Sequence, residues 1–124
     1  VQVKGASTKE DAKKIAKSII SSNLVKTAMF GSDANWGRVL CAAGYAGVNF
    51  DASKAGIEFS GSAGSIATLV NGEPVIFDED KALKILKEKE IKILLTLEQG
   101  KEEAVAWGCD LSYEYVKING EYRT

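Results

Sequence analysis

The sequence changes its hydrophobic period several times along its length, and this alternation limits the folds open to it. Apolar and polar residues alternate at every second position over 1–5 (VQVKG) and 55–61 (AGIEFSG), as they do in half-buried strands. Residues 10–22 and 78–90 instead repeat their apolar side chains at helical spacing. A chain that mixes both periods packs helices against sheets. We therefore predict a mixed α/β (α+β) fold.

The first half of the chain predicts a β-α-β-α segment. Ser7 and Glu10 form an S-x-x-E capping box at the start of the first helix. The apolar run LVKTAMF at 24–30 predicts a second strand, and Gly31 can end it in a sharp turn by taking a positive φ. Asp33 is then the expected N-cap of a helix over 34–47.

The second half predicts a β-rich two-layer part with two helices. Asn71-Gly72 between two apolar stretches is a strong hairpin signal, because both central residues of such a turn need positive φ. The other elements follow in order: a helix from Asp78, a strand at 91–98, a strand at 104–110 and a last helix capped by Asp110. A glycine-containing turn near 47–53 divides the two parts. We therefore expect domains at 1–48 and 49–124.

Composition excludes several classes of function. The 124 residues carry 16 basic and 17 acidic side chains in scattered positions, so we expect no nucleic-acid partner. No apolar run approaches the ~20 residues of a membrane span. The absence of histidine rules out Ser-His-Asp and Cys-His catalysis. Cys41 and Cys109 lie far apart in apolar settings, which predicts buried free thiols and no metal site.

A dense polar block, MFGSDANWGRVL, lies between apolar runs at 29–40. Two interpretations remain open. In one, it is a capped turn with Trp36 in the core and Arg38 paired to a local acid. In the other, Arg38 clamps a carboxylate near a helix N-terminus, where anions bind well.

Two further stretches carry small polar residues. The run SAGS at 62–65 could cradle a phosphate, but it lacks the lysine of a P-loop and no helix follows, so a tight loop is the better interpretation. The C-terminal KINGEYRT offers the amide of Asn119 and the hydroxyl and terminal carboxylate of Thr124. A frayed tail is the alternative for this end.

Two long blocks carry a family likeness. LVKTAMFGSDANWGRVLCAAGYAG (24–47) and AWGCDLSYEYVKINGEYRT (106–124) closely resemble the C-terminal part of the ornithine acetyltransferase family, the bifunctional glutamate N-acetyltransferases of arginine biosynthesis. The stretch VQVKGASTKEDAKKIAKSI at 1–19 also fits, whereas 51–90 matches least well. The likeness thus runs from end to end.

The resemblance implies an acetyl relay through a covalent enzyme. Family members cut themselves between Ala and Thr, and the new N-terminal Thr of the β chain takes the acetyl group of N2-acetylornithine and passes it to glutamate. Its own α-amine can act as the base, and the α chain stabilises the oxyanion. Some members also accept acetyl-CoA. The pair Ala67-Thr68 is not that cleavage site, so the nucleophile lies outside this chain.

The resemblance also implies site residues and partners. It makes Asn119 and Thr124 substrate-binding residues, with Asp33 and Arg38 as support behind the site and no catalytic residue, metal or cofactor in this chain. Expected partners are the α chain and the rest of the β chain in a cytoplasmic heterotetramer, with ornithine, glutamate and their N-acetyl forms as ligands. The chain alone is then inactive. A free amino-acid-binding module and a purely structural domain remain the alternatives.

Overall fold

The structure, a computed structural model, describes residues 1–123. The helices are α1 (Lys9–Ile20), α2 (Asn23–Phe30), α3 (Trp36–Gly44), α4 (Glu79–Leu86) and α5 (Tyr113–Glu121). The strands are β1 (Gln2–Ala6), β2 (Gly56–Gly61), β3 (Gly64–Val70), β4 (Glu73–Pro74), β5 (Lys92–Thr96) and β6 (Glu102–Val105). The predicted mixed α/β class is confirmed.

The strands of the described part form one mixed sheet in the order β4-β3-β2-β5-β1-β6. The pair β1–β5 is parallel and its neighbours in the sheet are antiparallel. The strand from the first predicted segment therefore lies between two strands from the second.

One core cluster joins both segments. Ile57 and Phe59 on β2 are fully buried, as are Ile15 and Ile19 on α1. Helix α1 packs against β1 and β6, while α4 packs against β2 and β3. The domain boundary expected near 47–53 stays a prediction, and it falls in the connection between α3 and a short 3-10 turn at Ala52–Lys54.

The segment 24–30 is helical, so the predicted second strand is wrong. Helix α2 begins after Ser22, whose hydroxyl accepts a hydrogen bond from the Val25 amide at 3.3 Å. It buries Val25 and Ala28, which are three positions apart and share one face. A short apolar run does not distinguish a buried strand from a buried helix. The first segment is therefore β-α-α-α.

Two of the predicted caps are displaced along the chain. The N-cap of α1 is Thr8, which accepts from the Asp11 amide at 3.0 Å, and the box predicted at Ser7 is wrong. Helix α5 begins after Ser112 rather than after Asp110. In both places a neighbouring hydroxyl takes the capping position.

Two of the other local predictions are confirmed, and one is mostly wrong. Asp78 caps α4 as predicted, and Asn71 and Gly72 take the positive φ values (48° and 72°) of the predicted hairpin. Strand β6 ends at Val105, so the strand predicted over 104–110 is mostly wrong. Among residues 1–123, no helix has both the length and the apolar character to cross a bilayer.

Candidate functional site

The polar block begins with the turn that ends α2. Ser32, not Gly31, takes the left-handed conformation, with φ of 54° against −80° for the glycine. The Asp33 amide donates back to the Ala28 carbonyl at 2.9 Å and closes the helix end. The positive φ predicted for Gly31 is therefore wrong, because it occurs one residue later, at Ser32.

The N-cap of α3 is Asn35, which corrects the prediction of Asp33. The Asn35 Oδ1 accepts from the Arg38 amide at 3.0 Å. Its Nδ2 donates to the Asp33 carboxylate at 3.1 Å. Asp33 therefore acts on the helix through Asn35, because it fixes which end of the amide faces the free N–H groups.

Arg38 joins α3 to α2. Its Nη1 donates to the Leu24 carbonyl at 3.0 Å and lies 3.4 Å from the Thr27 hydroxyl. These partners are neutral oxygens, so the predicted pairing of Arg38 with a local acid is wrong, whereas the carboxylate clamp stays a prediction. Within the described residues, the polar block at 29–40 therefore connects α3 to α2.

The C-terminal arm, defined here as residues 105–122, meets α2. The Leu111 amide donates to the Lys26 carbonyl at 3.4 Å. The ring of Tyr113 stands edge-on to Phe30, with 5.3 Å between centroids. The two blocks 24–47 and 106–124, distant in sequence, therefore meet in space.

A groove of about 450 Å³ opens where the two blocks meet. Met29 and Ser32 line it from the polar block, and Cys109 and Asp110 line it from the arm. This groove is the candidate functional site of the described residues.

The predicted substrate-binding pair stays a prediction. Asn119 is exposed on α5, and its Nδ2 donates to the Tyr115 carbonyl one turn earlier at 2.9 Å. Thr124 lies outside the described residues. Within 1–123, Asn119 bonds inside α5 whereas Asp33 and Arg38 bond around α3, so no hydrogen bond joins the two sets.

The SAGS loop holds a carboxylate from its own chain. It forms the tight β2–β3 turn that the sequence predicts. Glu88 accepts hydrogen bonds from the Ser62 amide (2.7 Å), the Ser62 hydroxyl (2.9 Å) and the Ala63 amide (2.8 Å). The hydroxyl bond, followed by the two amide bonds, lowers the pKa of the Glu88 carboxyl. Glu88 and Ser62 also line a second, larger groove of about 1120 Å³ that extends to Trp107.

The remaining nucleophile and metal candidates are two thiols, one threonine hydroxyl and the acidic side chains. Cys41 and Cys109 are exposed free thiols, so the predicted burial of both is wrong. The Thr68 hydroxyl is buried in β3 and donates to the Ile57 carbonyl at 3.1 Å. No group of three or more Cys, Asp and Glu side chains within 1–123 is placed to hold a metal ion.

Sequence reasoning missed two contacts that build this region. The Phe30–Tyr113 and Glu88–Ser62 contacts join residues far apart in sequence, and no local pattern signals them. Asn35 could have been found, because Asn is among the strongest N-cap residues and lies three positions before Arg38.

Comparison with known proteins finds similarity to the ArgJ family over the whole length of the chain. The ArgJ family profile matches residues 1–124. The chain is 56% identical over its whole length to the arginine biosynthesis bifunctional protein ArgJ of Thermotoga neapolitana, covering 31% of that protein. It is 50% identical to the glutamate N-acetyltransferase of Methanopyrus kandleri, covering 32% of it. The chain thus spans about a third of the length of these curated relatives.

A solved structure shares the fold. The crystal structure of the arginine biosynthesis bifunctional protein ArgJ of Bacillus halodurans superposes with a TM-score of 0.90 at 43% identity. The match covers 98% of this chain and 55% of the crystallised chain.

Proposed function

The chain belongs to the ArgJ family, and from this premise we propose that it is the C-terminal portion of a glutamate N-acetyltransferase β chain. The whole enzyme moves an acetyl group from N2-acetylornithine to glutamate. The nucleophilic Thr lies on polypeptide outside this chain, released by self-cleavage of a precursor. One comparison supports a divided precursor: the matched region is 55% of the crystallised relative's chain but only 31% of the T. neapolitana protein.

The proposed reaction has two balanced steps. The Thr hydroxyl attacks the acetyl carbonyl, an ester forms, and the amide C–N bond breaks so that ornithine leaves with the proton. The amine of glutamate then attacks the ester, an amide forms, and the Thr hydroxyl is restored. A relay of this kind replaces one difficult transfer by two easier ones. The thioester of acetyl-CoA can acylate the same hydroxyl, which makes acetyl-CoA a candidate second donor.

The meeting of the two family-like blocks at one groove carries the proposal. The hydrogen bond from Leu111 to Lys26 and the Phe30–Tyr113 contact hold the arm beside the polar block. From the family resemblance, Asn119 and Thr124 are proposed to contact the charged ends of the amino-acid substrate, with Asp33 and Arg38 supporting the site through α3. The partners are the α chain and the rest of the β chain, in a cytoplasmic heterotetramer.

A chimera tests the activity. The T. neapolitana ArgJ protein would receive this chain in place of its matched 124 residues, and acetyl transfer from N2-acetylornithine to glutamate would be followed by mass spectrometry. We expect transfer and a covalent acetyl group on a Thr outside this chain. A folded chimera that transfers no acetyl group would overturn the proposal.

Substitution of Asn119 tests the proposed binding role. We expect Asn119→Ala in the chimera to raise KM for both glutamate and acetylornithine about tenfold, the effect of losing one hydrogen bond to a charged group. Asn49→Ala, at another asparagine that precedes β2, is the matched control and should leave both KM values unchanged. Unchanged KM values for Asn119→Ala would favour a role in folding instead.

A structural role is the second candidate for the polar block. The contacts of Arg38 with the Leu24 carbonyl and of Asp33 with Asn35 favour it, because both side chains are engaged in joining helices.

A further inference from the structure

Two polar side chains are buried among residues 1–123, and they differ in how their polar atoms are satisfied. Thr68 is fully buried, and its hydroxyl donates to the Ile57 carbonyl at 3.1 Å. Gln2 on β1 is only 9% exposed, yet its side chain makes no hydrogen bond within the described residues. No enclosed side-chain nitrogen or oxygen of these residues lacks a partner, so the amide of Gln2 is accessible from outside. Since buried amides are normally hydrogen-bonded, this amide is suited to an external partner.

Gln2 lies on the face of the sheet opposite to the core. The next residue, Val3, is fully buried in the core, and successive side chains of a strand point to opposite faces. The cross-strand neighbours of Gln2 are Leu94 on β5 and Val105 on β6, and neither can bond an amide. Gln2 and Val105 both line the larger groove of about 1120 Å³. Because β1 is hydrogen-bonded on both sides, Gln2 is held ready at the wall of this groove.

The charges of the larger groove favour an anionic group. Its lining includes three lysines and two acids, namely Lys87, Lys89, Lys92, Glu88 and Glu90. The Glu88 carboxylate already accepts hydrogen bonds from the β2–β3 turn, so the lysines outnumber the acid that remains available. Lys92 precedes Leu94 by two positions on β5 and therefore lies on the same face as Gln2. A ligand carboxylate can thus bind beside the amide of Gln2.

The larger groove is continuous with the candidate functional site. Both grooves are lined by the same set of residues where they meet: Val1, Lys87, Glu88, Lys89, Ile91 and Gly108. A small molecule held at Gln2 therefore lies next to the place where the two family-like blocks meet.

The chemistry of a glutamine amide selects the ligand. Its nitrogen donates and its oxygen accepts, so a carboxylate satisfies only the nitrogen and an ammonium only the oxygen, whereas a second amide satisfies both. Lys92 only donates, which suits a carboxylate. We propose that Gln2 binds the amide of an N-acylated amino acid whose carboxylate is held by Lys92. This inference rests on the proposed function, in which N2-acetylornithine is the ligand of this class.

Two unreactive ligands test the role of Gln2 in the chimera described above. N2-methanesulfonylornithine keeps an N–H donor and oxygen acceptors at the α-nitrogen but has no carbonyl for a nucleophile to attack. δ-Aminovalerate has the same carboxylate and terminal ammonium with no group at the α-carbon. By calorimetric titration, we expect Gln2→Leu to weaken binding of the sulfonamide about tenfold, the effect of losing two neutral hydrogen bonds, and to leave binding of δ-aminovalerate unchanged. An unchanged affinity for the sulfonamide, or an equal loss for both ligands, would overturn the proposal.

A second substitution tests the carboxylate partner. Lys92→Met should weaken both ligands by about the same factor, roughly fivefold, because both carry the carboxylate. Lys4 lies on the same face of β1 as Gln2 but does not line the groove, so Lys4→Met is the matched control and should change neither affinity. Equal effects of Lys92→Met and Lys4→Met would contradict the proposed contact of Lys92.

Stability separates a role in binding from a role in folding. Without ligand, Gln2→Leu should not lower the urea midpoint of the chimera, because leucine replaces an amide that has no partner. Gln99 is the matched control, since its Nε2 donates to the Leu97 carbonyl at 3.2 Å. We expect Gln99→Leu to lower stability and to leave both affinities unchanged. A loss of stability in ligand-free Gln2→Leu would mean that polypeptide outside the described residues bonds this amide, and the proposal would be wrong.

Binding and acetyl transfer are measured separately, so the two proposals can fail separately. An active chimera whose affinities do not depend on Gln2 would overturn the role of Gln2 while the proposed acetyl transfer stands. A folded, inactive chimera whose affinity for the sulfonamide depends on Gln2 would overturn the acetyl transfer and support the binding role.

Discussion

At the scale of single residues, two side chains fix local turns of the main chain. The Glu88 carboxylate binds both amides and the hydroxyl of the β2–β3 turn, where a Cβ on Gly61 would collide with it. Asn35 holds the first turn of α3 and is itself oriented by Asp33. Both act through hydrogen bonds that a conservative substitution can remove.

We expect the contribution of Glu88 to stability to depend on pH. Its hydrogen bonds lower the folded-state pKa below the ordinary 4.5, so the stabilisation is present above pH 4.5 and is lost as pH falls through the folded value. Urea unfolding of the wild type and of Glu88→Gln should therefore differ at pH 7 and converge in acid. Glu90→Gln, with the same change in charge, is the control. A difference in unfolding free energy between wild type and Glu88→Gln that did not change with pH would contradict this role of the ionised Glu88 carboxylate.

The two candidates for the α3 cap have different expected costs. Asn35→Ala removes the acceptor of the Arg38 amide and should lower the free energy of unfolding by about 1 kcal/mol. Asp33→Ala removes only the group that orients the cap and should cost less. Urea titration of both variants measures the two losses in unfolding free energy. A larger loss for Asp33→Ala would indicate that Asp33, rather than Asn35, is the main capping residue.

At the scale of elements, the segment that leads into the arm is held by close contact. Gly108 lies over the end of α1, and a Cβ built there would come within 2.6 Å of Ile20 Cγ1. The start of the C-terminal arm therefore packs so closely on α1 that a side chain at position 108 would collide with Ile20.

Substitutions at this contact should be non-additive. Gly108→Ala should destabilise the chain by about 1–3 kcal/mol through overpacking. In the double variant Gly108→Ala, Ile20→Ala the obstructing carbons are gone, so the combined loss should fall below the sum of the two single losses. Chemical denaturation of all four proteins measures the coupling, and simple additivity would show that the two residues do not press on each other.

The same scale shows where sequence patterns suffice and where they fail. The Asn71-Gly72 hairpin and the Asp78 cap could be predicted because their chemistry is local. Helix α2 could not, because its apolar run fits a strand equally well and only packing of Val25 and Ala28 selects the helix. Likewise, nothing local announces that Tyr113 will meet Phe30, and thus where the candidate groove lies.

At the scale of the whole molecule, the position of β1 joins the two predicted segments. Val3 on β1 faces Leu95 on β5 and Ala104 on β6, and all three are buried. The first predicted segment, through β1, therefore shares one hydrogen-bonded sheet with β5 and β6 of the second. Elements that share a sheet and a core usually unfold together.

We expect one cooperative transition for this reason. Tryptophan fluorescence and far-UV circular dichroism should give the same urea midpoint, and Val3→Ala should shift both curves equally, by about 2 kcal/mol for the lost apolar contact. Lys4→Ala, on the exposed side of the same strand, is the control. Two separated transitions would instead support independent domains at 1–48 and 49–124.

The parallel pairing of β1 with β5 also has a consequence for synthesis. Val3 leaves the ribosome about 90 residues before its partner Leu95, a delay of roughly 5–20 s at ordinary translation rates. The β2–β3 hairpin can close during that time, but the middle of the sheet cannot, and such long-range pairings make folding slow. During this interval β1 lacks both of its partner strands, so it is open to mispairing with another polypeptide.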